Sequence, residues 1–599
     1  METSSVAAPG GPPPGRGNLL ATALRRSLRQ GYGAAELRAD LGAGLVVGIV
    51  ALPLSMALAI ASGVPPQYGL YTAIVAGLAI ALAGGSKVQV SGPTAAFVVI
   101  LAPIAARHGL AGLCLATLLA GGLLVALGYA RLGRFIEFVP HPVTTGFTAG
   151  IAIVIGVLQL RDFLGLEVAE LPAEFVERVE VIVRALPTAR WQELLVGVVT
   201  LGVLLGWPFL SRRVPAPLVA LGAGTGLAAL LAAWLPGAEV ATIASRFSYL
   251  AADGSTVAGI PQLPPLPVLP WHLPGADGAP ITLTWELLRE LVPSAFAIAM
   301  LGAIESLLSA VVSDGMTGKT HDPDGELVGQ GIGNLLAPFF GGFAATGALA
   351  RTATNVRAGA RSPIAAVIHA LFVLAAVVAL APWLGLLPMA ALAALLLQVA
   401  WRMAEARHVV HVLRVAPRSD ILVLLSCLAL TVLFDMVVAV TVGIVLASLL
   451  FMQRMASESR TELVDQAELD LERPLPDSVV LYRIAGPLFF GAANKAMTTL
   501  RTVARKGVTV VVLDLRSVPV LDATGLVALE STVSKLRHGG LVVVLAGIQG
   551  QPLRALAKAG WRNVAGSLAI GRDFERALET ARAYAESDPD APSLHLTHA

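Results

Sequence analysis

Long uncharged apolar stretches, separated by Gly/Pro breaks and clusters of charge, fill most of the chain. A helix that crosses the hydrocarbon core of a bilayer needs about 20 predominantly apolar residues. Stretches of that kind begin near Leu41, Tyr68, Leu110, Val143, Leu194, Pro217, Val292, Pro363, Leu384, Ile421 and Val437. Two more, 93–106 and 346–356, are too short or too interrupted by glycine to span. With their companion segments, about fourteen membrane elements are expected over 39–455, which predicts a polytopic α-helical membrane protein. After Arg454 the pattern changes. Residues 478–486, 508–514 and 540–546 read as strands, with amphipathic helical stretches near 491–505, 525–538 and 551–560 between them. That alternation predicts a small cytoplasmic α/β domain over 477–585, reached through a linker at 456–476. Residues 1–38 read as a cytoplasmic tail and 586–599 as a disordered one.

Composition strengthens this picture. Of 599 residues, 56% are hydrophobic and only 14% charged, and the mean hydropathy is +0.75, so lipid rather than water is the main solvent. A net charge of +2 gives no basic surface for nucleic acid. Cys114 and Cys427 both lie in apolar runs, which offers neither a disulfide framework nor a metal cluster, and no cofactor is expected. No short apolar leader with a small-residue cleavage site opens the chain. Lys and Arg concentrate in one set of short loops: Arg25, Arg26, Arg29, Arg38, Lys87, Arg131, Arg134, Arg212, Arg213, Arg357, Arg361, Arg402, Arg407, Arg414 and Arg418. The opposite set, with longer loops near 162–193 and 237–288, is poor in them. Both termini are therefore expected in the cytoplasm.

The informative feature is a pair of broken segments in corresponding places of the two membrane halves. The first runs Gly84-Gly85-Ser86-Lys87-Val88-Gln89-Val90-Ser91-Gly92-Pro93-Thr94-Ala95-Ala96, the second Gly341-Gly342-Phe343-Ala344-Ala345-Thr346-Gly347-Ala348-Leu349-Ala350-Arg351-Thr352. Each has a Gly-Gly stop, a short β-like crossing and a glycine that opens a short helix. They lie about 255 residues apart; with seven elements per half the repeat is inverted, and such broken helices point to a midplane binding site. Two half-helices starting near Pro93 and Gly347 would aim their N-terminal N–H groups into one cavity, a ready site for an anion. Arg351 adds a full positive charge at membrane depth. Ser91, Thr94 and Thr346 offer hydroxyls to oxyanion or carboxylate oxygens. The candidate substrate site is thus Ser91, Gly92, Pro93, Thr94 and Ala95 with Thr346, Gly347, Ala348, Leu349, Ala350 and Arg351. Glu305, alone in an apolar helix, is the candidate for coupling anion movement to protons.

Other motifs carry less. Gly318-Lys319-Thr320 resembles the end of a phosphate loop, but Ser313 stands where the first glycine is required and an apolar helix precedes it. His408 and His411 lack carboxylate or cysteine companions and read as part of a solvated loop. No nucleophile, base or metal constellation suggests an enzyme.

Gly69-Leu70-Tyr71-Thr72, Ser91-Gly92-Pro93-Thr94-Ala95, Gly146-Phe147-Thr148-Ala149-Gly150, Glu305 in its helix and Arg351-Thr352-Ala353-Thr354-Asn355 together resemble the SulP anion transporters, solute carrier family 26, over roughly residues 35–580. The run 514–525, with Asp522, Ala523 and Thr524 in its loop, is similar to a STAS domain. Related anti-sigma-factor antagonists carry a phosphorylatable serine where Ala523 stands, so the resemblance implies a structural, dimer-supporting module, with a nucleotide-binding regulator as the alternative, and a cytoplasmic ligand of unknown identity. The family implies seven plus seven helices in UraA-like core and gate domains, elevator-like movement, a homodimer and, in a bacterium, the inner (plasma) membrane. Residues 51–60, 301–318 and 433–440 look most like the aerobic four-carbon dicarboxylate carriers of the DauA type, so proton-coupled uptake of succinate, fumarate or aspartate is expected. The alternatives are sulfate transport, bicarbonate transport coupled to sodium through an acidic residue in the Glu305 region, and an anion sensor without turnover. Leu54 stands where many sulfate-transporting relatives have Gln.

Overall fold

The computed structural model describes residues 19–587 apart from 137–138, 169–171, 173, 212–213, 236, 251–253, 435, 459, 465–472, 490–506 and 549. The chain divides into two compact units, Met1–Ile444 and Val445–Ala599.

In the first half, α1 (Thr22–Arg29) leads into α2 (Ala34–Ala61), α3 (Pro66–Ala83), the two-residue strand β1 (Ser91–Gly92) and α4 (Ala95–Tyr129). Then follow α5 (Gly133–Ile136), α6 (His141–Leu164), α7 (Phe175–Ala185), α8 (Trp191–Leu210), α9 (Ala216–Trp234), α10 (Ile243–Arg246) and a hairpin of β2 (Ser248–Leu250) and β3 (Thr256–Ala258). The second half comprises α11 (Trp285–Thr317), α12 (Pro323–Leu336), β4 (Thr346–Gly347), α13 (Leu349–Arg357), α14 (Ile364–Gly385), α15 (Met389–Ala404), α16 (Ala406–Val415), α17 (Arg418–Leu433) and α18 (Met436–Glu458).

Among the described residues ten helices are long and apolar enough to cross a membrane. The long α4 is two elements in series. Gly109 breaks it with φ 63° and ψ −165°, and a Cβ there would sit 2.2 Å from the carbonyl carbon of Gly275. Only glycine accommodates both that dihedral and that approach. Counting α4 as a half-helix over 95–108 and a span over 110–129, each half holds seven membrane segments, with the short α7 and α16 in equivalent places. His408 and His411 accordingly fall on the helix α16, not in a loop, and the His408 ring meets His141 edge-on at 5.1 Å. Their spacing is helical, but ten residues without an apolar run gave no membrane signal.

These segments sort into two bundles. Helices α2, α3, α4 and α11–α14 pack on one another, as do α6, α8, α9, α15 and α17, and α18 joins the second bundle through Gly443, whose added Cβ would lie 2.2 Å from Cys427 Sγ. They are the core and gate bundles expected of the repeat. Small residues let the helices approach closely, as is usual where lipid removes a hydrophobic drive between them. A Cβ on Gly69 of α3 would be 2.0 Å from the Ser55 carbonyl oxygen of α2, and one on Gly146 of α6 would be 2.5 Å from that of Leu424 on α17.

The second unit holds a five-stranded sheet of β5 (Arg460–Leu463), β6 (Val479–Ala485), β7 (Val510–Asp514), β8 (Val542–Ala546) and β9 (Leu568–Ile570) in that order, β6 to β9 parallel and β5 antiparallel at the edge. Helices α19 (Ala523–His538) and α20 (Gly550–Lys558) cover one face and α21 (Phe574–Glu586) the other. Alternate residues of β7 serve the two cores, Val511 and Leu513 on one side and Val510 and Val512 on the other, so the whole strand is apolar. The expected strands 478–486, 508–514 and 540–546 are β6, β7 and β8. Strand β5 lies within the segment expected as a linker: Arg460-Thr461-Glu462-Leu463 shows no buried-strand pattern, and only its pairing with β6 defines it. The helix expected over 491–505 lies outside the described residues, as does the tail expected over 586–599 apart from Glu586, which ends α21, and Ser587.

Candidate anion site

The two broken segments meet. β1 and β4 pair antiparallel, Ser91 opposite Gly347 and Gly92 opposite Thr346, and the Ala348 amide donates to the Val90 carbonyl at 2.9 Å. From this two-stranded crossing α4 and α13 start, with Thr94 and Ala348 as their N-cap residues in extended backbone. Neither cap side chain satisfies the first-turn amides of its own helix, so those N–H groups keep their partial positive charge for a ligand.

Arg351 lies at the joint, 2% exposed. Its Nη2 donates to the Pro93 carbonyl, which ties the second half-helix to the first. Its Nε and Nη1 have no hydrogen-bond partner although both are buried. A buried guanidinium with two open donors is costly in free energy and is the recognisable half of an oxyanion contact. Glu305 on α11 is within electrostatic reach of Arg351 and accepts a hydrogen bond from the Thr94 hydroxyl at 2.9 Å. Glycines leave room for two polar side chains at the crossing: a Cβ on Gly92, whose φ is +156°, would be 2.7 Å from Arg351 Nη1, and one on Gly347 would be 1.9 Å from Gln89 Nε2.

The structure separates the residues singled out in the sequence. Ser91, Gly92, Pro93, Thr94, Thr346, Gly347, Ala348 and Arg351 are buried together, Ala95 is half-buried, and Leu349 and Ala350 are exposed. Two hydroxyls have internal acceptors: Thr94 donates to Glu305, and Thr346 donates to the Gly302 carbonyl at 2.8 Å. They frame the site more than they face a ligand. Ser91 Oγ accepts from Gln330 Nε2 at 2.9 Å and keeps its own proton.

A polar network behind the crossing escaped the sequence reading. Glu326 on α12, 1% exposed, accepts at Oε2 from the Gly85 and Ser86 amides, both at 2.9 Å, and at Oε1 from Gln89 (3.0 Å) and Gln330 (2.9 Å). Asn334 donates to the Gln330 and Ala345 carbonyls and accepts from the Ala345 amide, all at 2.8 Å. Thr352 receives the Val90 amide at 3.1 Å, and Asn355 donates to the Val88 carbonyl at 2.8 Å. Glu326, Gln330 and Asn334 recur every fourth residue on a helix rich in glycine, a stripe visible in the sequence. At 14 residues α12 is too short for a search based on apolar length. His369 on α14 is also fully buried, with neither ring nitrogen hydrogen-bonded, and lies within electrostatic reach of Arg351.

Comparison with known proteins places this architecture. Residues 37–427 match the Sulfate permease family and residues 470–575 the STAS domain. The chain belongs to the sulfate permease family. It is 40% identical over 532 residues, 89% of this chain and 95% of the relative, to the Bacillus subtilis (strain 168) protein named "Putative sulfate transporter YvdB". It is 28% identical over 544 residues, 87% of this chain and 91% of the relative, to the bicarbonate transporter BicA of Picosynechococcus sp.. Among solved structures, murine Slc26a9 in the inward-facing state shares the fold, with a TM-score of 0.79 at 19% identity over 94% of each chain. The transmembrane domain of a cyanobacterial BicA aligns with a TM-score of 0.56 at 28% identity, covering 70% of this chain and 98% of that one. The sulfate permease family consists of transporters, so this chain is a multi-pass anion transporter of the SulP type and not an enzyme.

Proposed function

We propose that the chain is a secondary active carrier of a small inorganic oxyanion, sulfate in the first instance, bound between the N-termini of α4 and α13. The observation that carries this reading is Arg351, whose buried Nε and Nη1 lack acceptors. Each of these open N–H donors can give a charge-assisted hydrogen bond to an oxyanion oxygen, and the half-helix termini add to the same field. The relative at 40% identity is named for sulfate, which supports that substrate. Bicarbonate is the second reading, favoured by the 28% identity to BicA over nearly the whole chain. The four-carbon dicarboxylates expected from residues 51–60, 301–318 and 433–440 rank below both, because neither relative is named for one. Leu54 packs on Leu204 of α8, Ala220 of α9 and Leu395 of α15, at the seam with the gate bundle.

Movement of the core bundle past the gate bundle, with the anion held on the core, is the alternating-access step we propose. Each site residue named above lies on a core element, so the bundle carries the site as a unit. The loop distribution of Lys and Arg favours cytoplasmic termini, and we propose a homodimer, as the resemblance implies. Uptake of labelled sulfate into proteoliposomes, with bicarbonate and succinate as competitors, tests the substrate. Saturable sulfate uptake resistant to succinate is expected; succinate or bicarbonate uptake without sulfate uptake would reassign the substrate on the same site, and binding without flux would make the protein a sensor.

Two substitutions follow from the geometry. Thr94→Val removes a hydrogen bond to a carboxylate worth about 1.5–3 kcal/mol, and initial uptake should fall about tenfold, whereas Thr94→Ser should retain most of it. Glu305→Gln keeps the side chain's shape and removes its charge. Uptake driven by a proton or sodium gradient in the wild type should become insensitive to that gradient in this variant. Undiminished gradient dependence would move coupling to another residue.

A further inference from the structure

A second concentration of positive charge lies at one end of the core bundle. A cavity of about 390 Å³ is lined there by Gln30, Tyr32, Glu36, Lys87, Lys319 and Arg361 with the serines beside them. Four segments distant in sequence build it: the α1–α2 turn, the strand-like run into β1, the α11–α12 turn and the α13–α14 turn. Glycine 318 ends α11 in the left-handed conformation, at φ 67°. The Gly318-Lys319-Thr320 string is therefore a helix stop that presents Lys319 to the cavity and is not a nucleotide loop.

The charges do not balance. Glu36 is engaged, its Oε1 with Arg361 Nη1 at 3.1 Å and its Oε2 with the Gly33 amide at 3.1 Å. Asp40 is the other acid nearby, and the Arg361 and Ser362 amides, the Ser362 hydroxyl and the Tyr32 hydroxyl already surround it. Lys87 donates to the neutral Gln30 side chain. Among the described residues neither Lys87 nor Lys319 has a carboxylate partner in an ion pair. Arg26, held by the Thr320 carbonyl at 3.3 Å, adds a further cation at the rim. Burial, and then the charges of Lys319 and Arg26, hold the Lys87 ammonium below its ordinary range. Lysines gathered around a cavity with no carboxylate paired to either of them are stabilised by a bound anion.

We propose that this cavity is a second anion site, distinct from the crossing, that takes a phosphate-bearing ligand with at least two negative charges. The two lysines act as point charges and Arg361 as a planar donor, the combination that suits phosphate oxygens. The volume is in the range of small-molecule sites and far larger than one oxyanion needs. The ligand is therefore a phosphorylated small molecule in solution or the phosphorylated headgroup of an anionic lipid. Lys87 precedes β1 by three residues and Arg361 follows α13 by three. An occupant thus bridges the flanks of both half-helices without entering the transport site.

The test is the unfolding midpoint of the full-length protein, purified in neutral detergent, against inorganic pyrophosphate at constant ionic strength, and separately in nanodiscs of phosphatidylcholine with or without phosphatidylglycerol. A saturable rise of a few degrees is expected for the wild type, abolished in a Lys87→Gln/Lys319→Gln double variant and retained in Arg351→Lys. A rise with pyrophosphate assigns a soluble ligand; a rise with phosphatidylglycerol alone, again lost in the double variant, assigns a lipid headgroup. Should the double variant fail to fold, the exposed Lys319→Gln alone should raise the half-saturating pyrophosphate concentration at least fivefold. No rise with either probe, or an equal rise in wild type and variant, overturns the proposal.

Discussion

Replacing Arg351 with Ala is expected to weaken anion binding about 100-fold and to abolish uptake at physiological anion concentrations. The substitution removes a full charge from a site with 2% exposure, together with the open Nε and Nη1 donors and the bond to the Pro93 carbonyl that ties α13 to α4. Hydrogen bonds to charged groups are each worth about 1.5–3 kcal/mol, and two of them account for the expected loss with allowance for relaxation of the site. Arg351→Lys restores the charge but not the planar pair of donors, so it should recover only part of the affinity. Calorimetric titration of the purified protein with sulfate measures binding independently of flux. Wild-type affinity in Arg351→Ala would remove this residue from the anion site, and loss of binding to Arg351→Ala without recovery in Arg351→Lys would assign the effect to geometry more than to charge.

Glu326→Ala should destabilise the membrane unit by about 4 kcal/mol, and Glu326→Gln by less. The carboxylate accepts from five groups buried with it: the Gly85 and Ser86 amides, Gln89, Gln330 and, at 3.4 Å, the Ser306 hydroxyl. A buried donor left without an acceptor costs about 1–3 kcal/mol, and partial relaxation keeps the total below the sum of five. Truncation also opens space beside Gly84, where an added Cβ would lie 2.9 Å from Glu326 Oε2. The readout is the thermal midpoint and monodispersity of the purified protein, with Glu326→Gln as the shape-preserving control. An unchanged midpoint in Glu326→Ala would show that the crossing is held by the β1–β4 pairing alone.

How much of this was legible beforehand differs from residue to residue. Arg351 stood out because a cation in an apolar stretch is rare, and its place beside Gly347 matched Pro93 in the other half. Glu305 stood out for the same reason. That Thr94 donates to Glu305, and that Thr346 faces the Gly302 carbonyl, depends on where α11 passes relative to two segments more than 200 positions apart in the first case and 44 in the second. No local pattern encodes such proximity. Glu326, Gln330 and Asn334 form a readable every-fourth-residue stripe, but it sits on a helix shorter than a bilayer is thick. Leu54, which looked like a comment on substrate, faces the gate bundle.

The sequence by itself determined the membrane segments, the inverted repeat, the α/β character of the C-terminal unit and the sign of the ligand. Hydropathy, glycine placement and a buried cation act locally, and the bilayer enforces them residue by residue. Only the tertiary structure decided which broken segments touch, in what register, and which polar groups remain open. Antiparallel pairing of β1 with β4 joins residues about 255 positions apart, and that choice is made by the packing of whole helices around the crossing. The same packing brings the Gly85 and Ser86 amides, Gln89 and Gln330 onto Glu326 and leaves two donors of Arg351 waiting for an anion.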